Sequence, residues 1–408
     1  MANRLFFLLM GGSSVLALAR AFMLAGLLIP ADFGRYSILI ALAMFLSTLP
    51  GLGLIEETRK SFPRLFIDGQ SAEISGRADH VARLVASRML AIGGAATLIA
   101  GLGWSIWWGA AVGILALIAF GNAWASIMAS ALRAGNSALP LGVTSFIRAS
   151  ITLPLTVVAA LDFGLIGALV GEALGALLGA AIMRAVLSRA SSSASDPGTT
   201  EYSSQASRAG LLVFFGSALV SAPIYLNRPV AALAMSATEV GTLSLLLVLV
   251  GALQTTIAVC DQAVGPRLVH WQHAGMVMTR QKRRFFLVIA GLSTLSLAVF
   301  GAIWIVMHVP FVVPMVDKYA LTGALLLPAA LLAALSITST ADWMLQAHNR
   351  EQVITVAAAW NLGAFGVLMV LVVAGDIGME AFVWGLALAK LSQLGVQLAA
   401  ITRLPAGR

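Results

Sequence analysis

The chain has 408 residues, of which 60% are hydrophobic and only 10% charged, with a net charge of +8. Soluble domains run at roughly 45–50% apolar and about 25% charged, so a soluble globule of this length is excluded. The basic residues lie between apolar runs, which argues for membrane topology over nucleic acid, and the single cysteine, Cys260, excludes an internal disulfide or a cysteine-rich metal site.

The apolar runs are about 20 residues long and do not alternate, so they read as helices and not as barrel strands. In chain order, spans are predicted at 5–29, 37–55, 84–104, 109–130, 141–161, 164–187, 209–228, 240–262, 284–307, 320–345, 353–374 and 379–402. The first run is too long for a signal peptide and reads as a span. Spans five and six are separated by little more than Asp162 and Phe163, which makes them a tight hairpin. With the N-terminus inside, cytoplasmic segments and their flanks hold 19 of the 25 Lys and Arg residues; only Arg35, Arg228 and Lys318 fall on or near the outer side. The positive-inside rule then puts both termini in the cytoplasm. The basic segments 56–83 and 265–283 read as topology determinants on anionic headgroups.

The chain repeats itself. Gly34-Arg35-Tyr36-Ser37-Ile38-Leu39 matches Gly241-Thr242-Leu243-Ser244-Leu245-Leu246. Leu132-Arg133-Ala134-Gly135-Asn136 matches Leu345-Gln346-Ala347-His348-Asn349. Asp162-Phe163-Gly164-Leu165 matches Asp376-Ile377-Gly378-Met379. The order and near-constant offset argue for two six-span halves of one topology, a transporter signature that puts the site between the halves. The expected organisation is an N-terminal bundle over 1–187, a Ser-rich cytoplasmic linker over 188–208 and a C-terminal bundle over 209–408.

Charged side chains within spans are costly and are candidates for function. They are Arg20 in span one, Arg148 in span five, Arg228 closing span seven, Lys390 in span twelve and Glu172 in span six, with Asp261 and Asp342 near cytoplasmic span ends. The repeat pairs Arg20 with Arg228 and Arg148 with Asn361. Deep cations outnumber deep carboxylates, which suits an anionic ligand, and arginine can grip phosphate with two bonds at once. Snorkelling of Arg228 and a structural pair between Arg20 or Arg148 and Glu172 are the simpler alternatives. Glu172 reads equally as an ion-coupling carboxylate or a counter-ion; Asp342 is a candidate for the same two roles, with solvation near the interface the simpler reading for it and for Asp261. Gly167, Gly171, Gly175 and Gly179 form a ridge of small residues for close helix packing, and it could also slide during transport. Pro154, Pro223 and Pro328 interrupt spans. No phosphate-binding Gly-Lys-Ser/Thr loop is present, and His270 with His273 lacks further ligands for a metal. No cofactor, metal, catalytic group or nucleic-acid partner is expected.

Leu27-Leu28-Ile29-Pro30-Ala31-Asp32-Phe33-Gly34-Arg35-Tyr36-Ser37 after Arg20, Gly51-Leu52-Gly53-Leu54 before a basic loop, Asn227-Arg228 before Glu239-Val240-Gly241, and Asp162-Phe163-Gly164-Leu165-Ile166-Gly167-Ala168 together resemble a known pattern. It is that of the multidrug/oligosaccharidyl-lipid/polysaccharide (MOP) exporter superfamily, in its Wzx-like O-antigen and capsule flippase branch. Asn227 departs from the Asp that many relatives carry there. The resemblance implies an all-α transmembrane fold of two six-helix bundles around a central cavity that opens alternately to each side. It implies a short undecaprenyl-diphosphate-linked oligosaccharide as substrate, held by Arg20, Arg148, Arg228 and Lys390, in a bacterial inner membrane. Membrane lipids and polysaccharide polymerase machinery would be its partners, and H+ or Na+ coupling or downstream consumption of the product would drive it. A multidrug antiporter of the same superfamily would carry an acidic residue in span one, where this chain has Arg20. A membrane glycosyltransferase or polymerase would need larger outer loops.

Overall fold

A computed structural model describes residues 2–49, 51, 53–68, 70–103, 105–134, 139–191, 218–273, 277–309, 313–348, 350–375 and 377–404. Among these there is no strand; the chain is all-α and has the twelve-span, two-half layout of a polytopic membrane protein. Nine described helices are long and apolar enough to cross a membrane, and one of them, Leu139–Arg189, is long enough for two passes. That accounts for ten of the twelve expected spans. The linker region 192–208 and the start of span seven, 209–217, lie outside the described residues.

The chain divides into two compact units, Met1–Ile29 with Tyr36–Ser221, and Pro30–Arg35 with Ala222–Arg408. In the first, α1 (Ala2–Leu27), α3 (Leu54–Ile67), α4 (Ser71–Gly103), α5 (Ile106–Arg133) and α6 (Leu139–Ser191) pack together, with α1 and α5 on α6 and α4 on α5, and α2 (Pro30–Leu46, from Tyr36 onward) is tied to them by Tyr36. Span two is a correction. It was expected at 37–55, but α2 starts at Pro30 and ends at Leu46. Pro30 supplies a pre-set φ and lacks an N–H that the first turn could not satisfy anyway, and Asp32 favours the same helix start through the dipole. Its 17 residues rise only about 26 Å. The helix α3 then lies outside the apolar runs as an amphipathic element. Its Ile55, Phe62 and Leu65 are buried against α4 and α5.

α6 is the expected hairpin. Its chain reverses at Gly164, with φ +57° and ψ −133°, a backbone region that side chains avoid and glycine enters freely. The small-residue ridge of the second arm faces the first arm. A Cβ at Gly171 would stand 2.7 Å from the Leu155 carbonyl oxygen, and one at Gly175 would stand 2.8 Å from Thr152 Cβ. One at Gly179 would strike the aliphatic stem of Arg148. The ridge therefore closes a hairpin; these contacts argue against the sliding surface that was the other reading.

In the second unit, α7 (described over 218–225) is followed by α8 (Asn227–Ala231), α9 (Ala237–His273), α10 (Met278–Val306), α11 (Val313–Lys318), α12 (Gly323–Ala334), a 3₁₀ turn (Leu335–Ile337), α13 (Thr338–Ala347), α14 (Glu351–Ala374) and α15 (Met379–Thr402). Span ten is thus two α-helices joined by the 3₁₀ turn, within which Ser336 receives Gln254 Nε2 at 2.9 Å. A capping box opens α9: Glu239 N–H donates to Ser236 Oγ at 3.3 Å, and Ser236 N–H donates to the Glu239 carboxylate at 2.8 Å. The 37 residues of α9 rise about 55 Å, so part of the basic segment 265–283 is a helical extension beyond the bilayer. Within this unit Gly34 meets Gly241 backbone to backbone, a Cβ at Gly34 falling 2.8 Å from Gly241 N. These are the equivalent glycines of the internal repeat. The core joins Phe285, Ile337, Met344, Leu394 and Ile401.

Candidate substrate site: charged side chains within the spans

In the first unit, α1 carries Arg20 and the second arm of α6 carries Glu172. Arg20 Nη1 donates to Glu172 Oε2 at 2.9 Å, and Tyr36 Oη donates to Glu172 Oε1 at 2.5 Å. Each carboxylate oxygen thus accepts one strong bond, which is how a buried charge becomes tolerable. Glu172 is 7% exposed. Of the two carboxylate pairings left open by the sequence, the structure makes Arg20–Glu172. Arg148, on the first arm, instead donates through Nη2 to the side-chain oxygen of Asn122 on α5, while its stem crosses Gly179. Arg148 feels the charges of both Arg20 and Glu172, so these three groups form one cluster with a net positive charge.

In the second unit, Arg228 sits in the short α8, and its Nε is buried with no hydrogen-bond partner. No carboxylate pairs with it among the described residues. The neighbouring Asn227 Oδ1 is also buried and unpaired. Lys390, in the middle of α15, donates to Gln393 Oε1 at 2.9 Å, and Asp342 on α13 is the opposite charge that acts on it. Asp342 Oδ1 accepts from Gln397 Nε2 at 2.6 Å. Asn361, the repeat partner of Arg148, is buried in α14. The side chains of Asp261, His270 and His273 lie outside what the structure describes. No group of three or more metal-ligating side chains occurs among the described residues.

The sequence reading missed Tyr36, Asn122, Gln393 and Gln397 as partners. Asn122 was the detectable one, because a polar amide amid the apolar residues of span four has to find a partner. Tyr36 stands one residue outside the apolar run of span two, where hydropathy gives it no role.

No family model matches the chain, and no curated protein matches it. Solved structures do. The lipid II flippase MurJ in an inward closed conformation is 15% identical, with a TM-score of 0.69, over 98% of this chain and 88% of that one. An inward-facing multidrug resistance MATE family transporter of the MOP superfamily is 14% identical, with a TM-score of 0.63, over 100% of this chain and 97% of that one. A MOP superfamily transporter from Pyrococcus furiosus, described by a reverse polarity of its binding pocket, is 14% identical, with a TM-score of 0.54, over 99% of this chain and 96% of that one. The chain has the fold of the MOP superfamily transporters and is a multi-pass membrane protein.

Proposed function

We propose that this chain is a MOP superfamily flippase that moves an anionic lipid-linked substrate across the bacterial inner membrane, with both termini in the cytoplasm. The substrate class is an undecaprenyl-diphosphate-linked oligosaccharide. The observation that carries this reading is the charge left over within the spans. Arg20 forms an ion pair with Glu172, whereas Arg148 and Lys390 hydrogen-bond neutral amides and Arg228 pairs with no carboxylate among the described residues. A guanidinium held in a span without a counter-ion costs several kcal/mol; a diphosphate would remove that cost on binding and accept paired N–H donors. The likeness in fold to a lipid II flippase supports the lipid-linked class. A cation-coupled drug exporter would instead need an acidic group open to the ion, and both oxygens of Glu172 are engaged.

The test is complementation of a deletion strain with the full chain. Arg148→Ala and Arg228→Ala are expected to insert normally yet leave lipid-linked repeat units on the cytoplasmic leaflet. Full polysaccharide export by both variants would overturn the cationic-site reading. Efflux of ethidium from loaded vesicles by the wild-type chain would favour the drug exporter.

A further inference from the structure

The first unit contains a cleft unconnected with the span cations. It lies between the N-terminal part of α4 and the end of α6, with α5 as its floor, and encloses about 360 Å3. Its walls include Asp79, Arg83 and Ala86 from α4 and Arg184 from α6, over Phe120 and Trp124 of α5. Arg184 is fixed by two bonds to the Asp79 carboxylate, at 2.9 and 3.0 Å, and this fork ties α6 to α4. Arg83 Nε reaches only the Asp79 backbone oxygen, at 3.4 Å, so its two terminal amino groups have no partner among the described residues. Phe120 and Trp124 stack one turn apart, their centroids 5.8 Å apart and their planes within 19°. Alanines at 82 and 86 keep the wall low.

The position of this cleft decides what can enter it. Arg184 follows the Gly164 turn by 20 residues, a rise of about 30 Å, which is about the thickness of the hydrocarbon core. The rim of the cleft is therefore level with the lipid headgroups opposite that turn, and its aromatic floor reaches toward the acyl chains. Two guanidiniums against one carboxylate leave one positive charge, directed by Arg83. We propose that this cleft binds one anionic phospholipid, its phosphodiester on Arg83 and the upper part of an acyl chain on Phe120 and Trp124. A soluble anion would gain nothing from that floor, and a zwitterionic headgroup would set a choline or ethanolamine cation beside Arg83.

The full chain, purified and exchanged into equal parts dioleoylphosphatidylglycerol and dioleoylphosphatidylcholine, tests this by native mass spectrometry. One phosphatidylglycerol should be retained in preference to phosphatidylcholine. Arg83→Gln should lower that retention about fivefold, the effect of one interfacial arginine. Ala86→Trp, which fills the cleft, should abolish it. Arg350→Gln, at an exposed turn before α14, should leave it unchanged. Equal retention of both lipids, undiminished retention in Arg83→Gln, or displacement of the lipid by millimolar glycerol 3-phosphate would each overturn the proposal. Arg83 is exposed, so its substitution leaves folding intact and keeps the test decisive if Ala86→Trp fails to accumulate.

Discussion

Glu172→Gln removes one negative charge and almost no volume, so it isolates what the carboxylate does for Arg20. In the wild type the guanidinium and the carboxylate meet at 2.9 Å, with side-chain exposures of 25% and 9%. Breaking a buried pair by removing one partner costs about 3–5 kcal/mol, because the remaining charge is left uncompensated. The partial exposure of Arg20 places the effect at the lower end, about 3 kcal/mol. For a cooperative unit of this size each kcal/mol is worth roughly 2–4 °C, so the melting temperature of the purified variant should fall by on the order of 10 °C. Arg20→Met combined with Glu172→Gln removes both charges and leaves Tyr36 an amide oxygen to bond, so it should recover most of that loss. Thermal unfolding followed by size-exclusion in mild detergent reads both values. A Glu172→Gln variant as stable as wild type, or a double variant less stable than either single one, would refute the ion-pair account.

Two further outcomes follow from packing and from titration. Gly171→Ala would set a methyl group 2.7 Å from the Leu155 carbonyl oxygen and against the Thr156 backbone, where neither neighbour can turn aside; it should cost about 1–3 kcal/mol, whereas Gly363→Ala in α14, with open space around it, should be neutral or stabilising in the same melting assay. Burial, and then the Lys282 ammonium, hold the His348 imidazole below its ordinary value. The unfolded chain therefore binds a proton first as the pH falls below about 6.5, and the stability kept above that pH is lost on further acidification. His348→Gln should reduce the fall in melting temperature between pH 7.5 and pH 5.5, and an undiminished fall would contradict the assignment.

Much of the fold was legible because long apolar runs in lipid have only one way to satisfy their backbone. The α6 hairpin is legible to within a residue or two, since Asp162-Phe163 separates spans five and six and the chain reverses at the adjoining Gly164. Span two is less legible, because its start is marked by Pro30 and Asp32, which hydropathy does not register. The functional residues were legible as charges and not as partners. Arg20 and Glu172 stand 152 positions apart, and nothing in their local sequence says that they meet. Lys282 counted only as one more cytoplasmic cation, yet its ammonium donates to the carbonyls of Thr402 and Leu404 at 2.8 Å each and so caps the end of α15. Neutral partners such as Gln393 and Gln397 are harder still, because an amide leaves no charge imbalance.

The covering of Gly179 by the Arg148 stem bears on how the protein is made. An arginine near the middle of a single helix opposes release into lipid by about 2.5–3.5 kcal/mol on insertion scales. Asn122 of α5 emerges before the first arm of α6 and offers the guanidinium one partner, but the glycine track into which the stem folds comes only with the second arm, about 30 residues later. Biogenesis would therefore favour holding the first arm at the insertion machinery until both arms can leave together. On that account the ridge of glycines is a timing element for membrane integration, and a bulky residue at Gly179 would show itself first as a protein degraded before it is ever assembled.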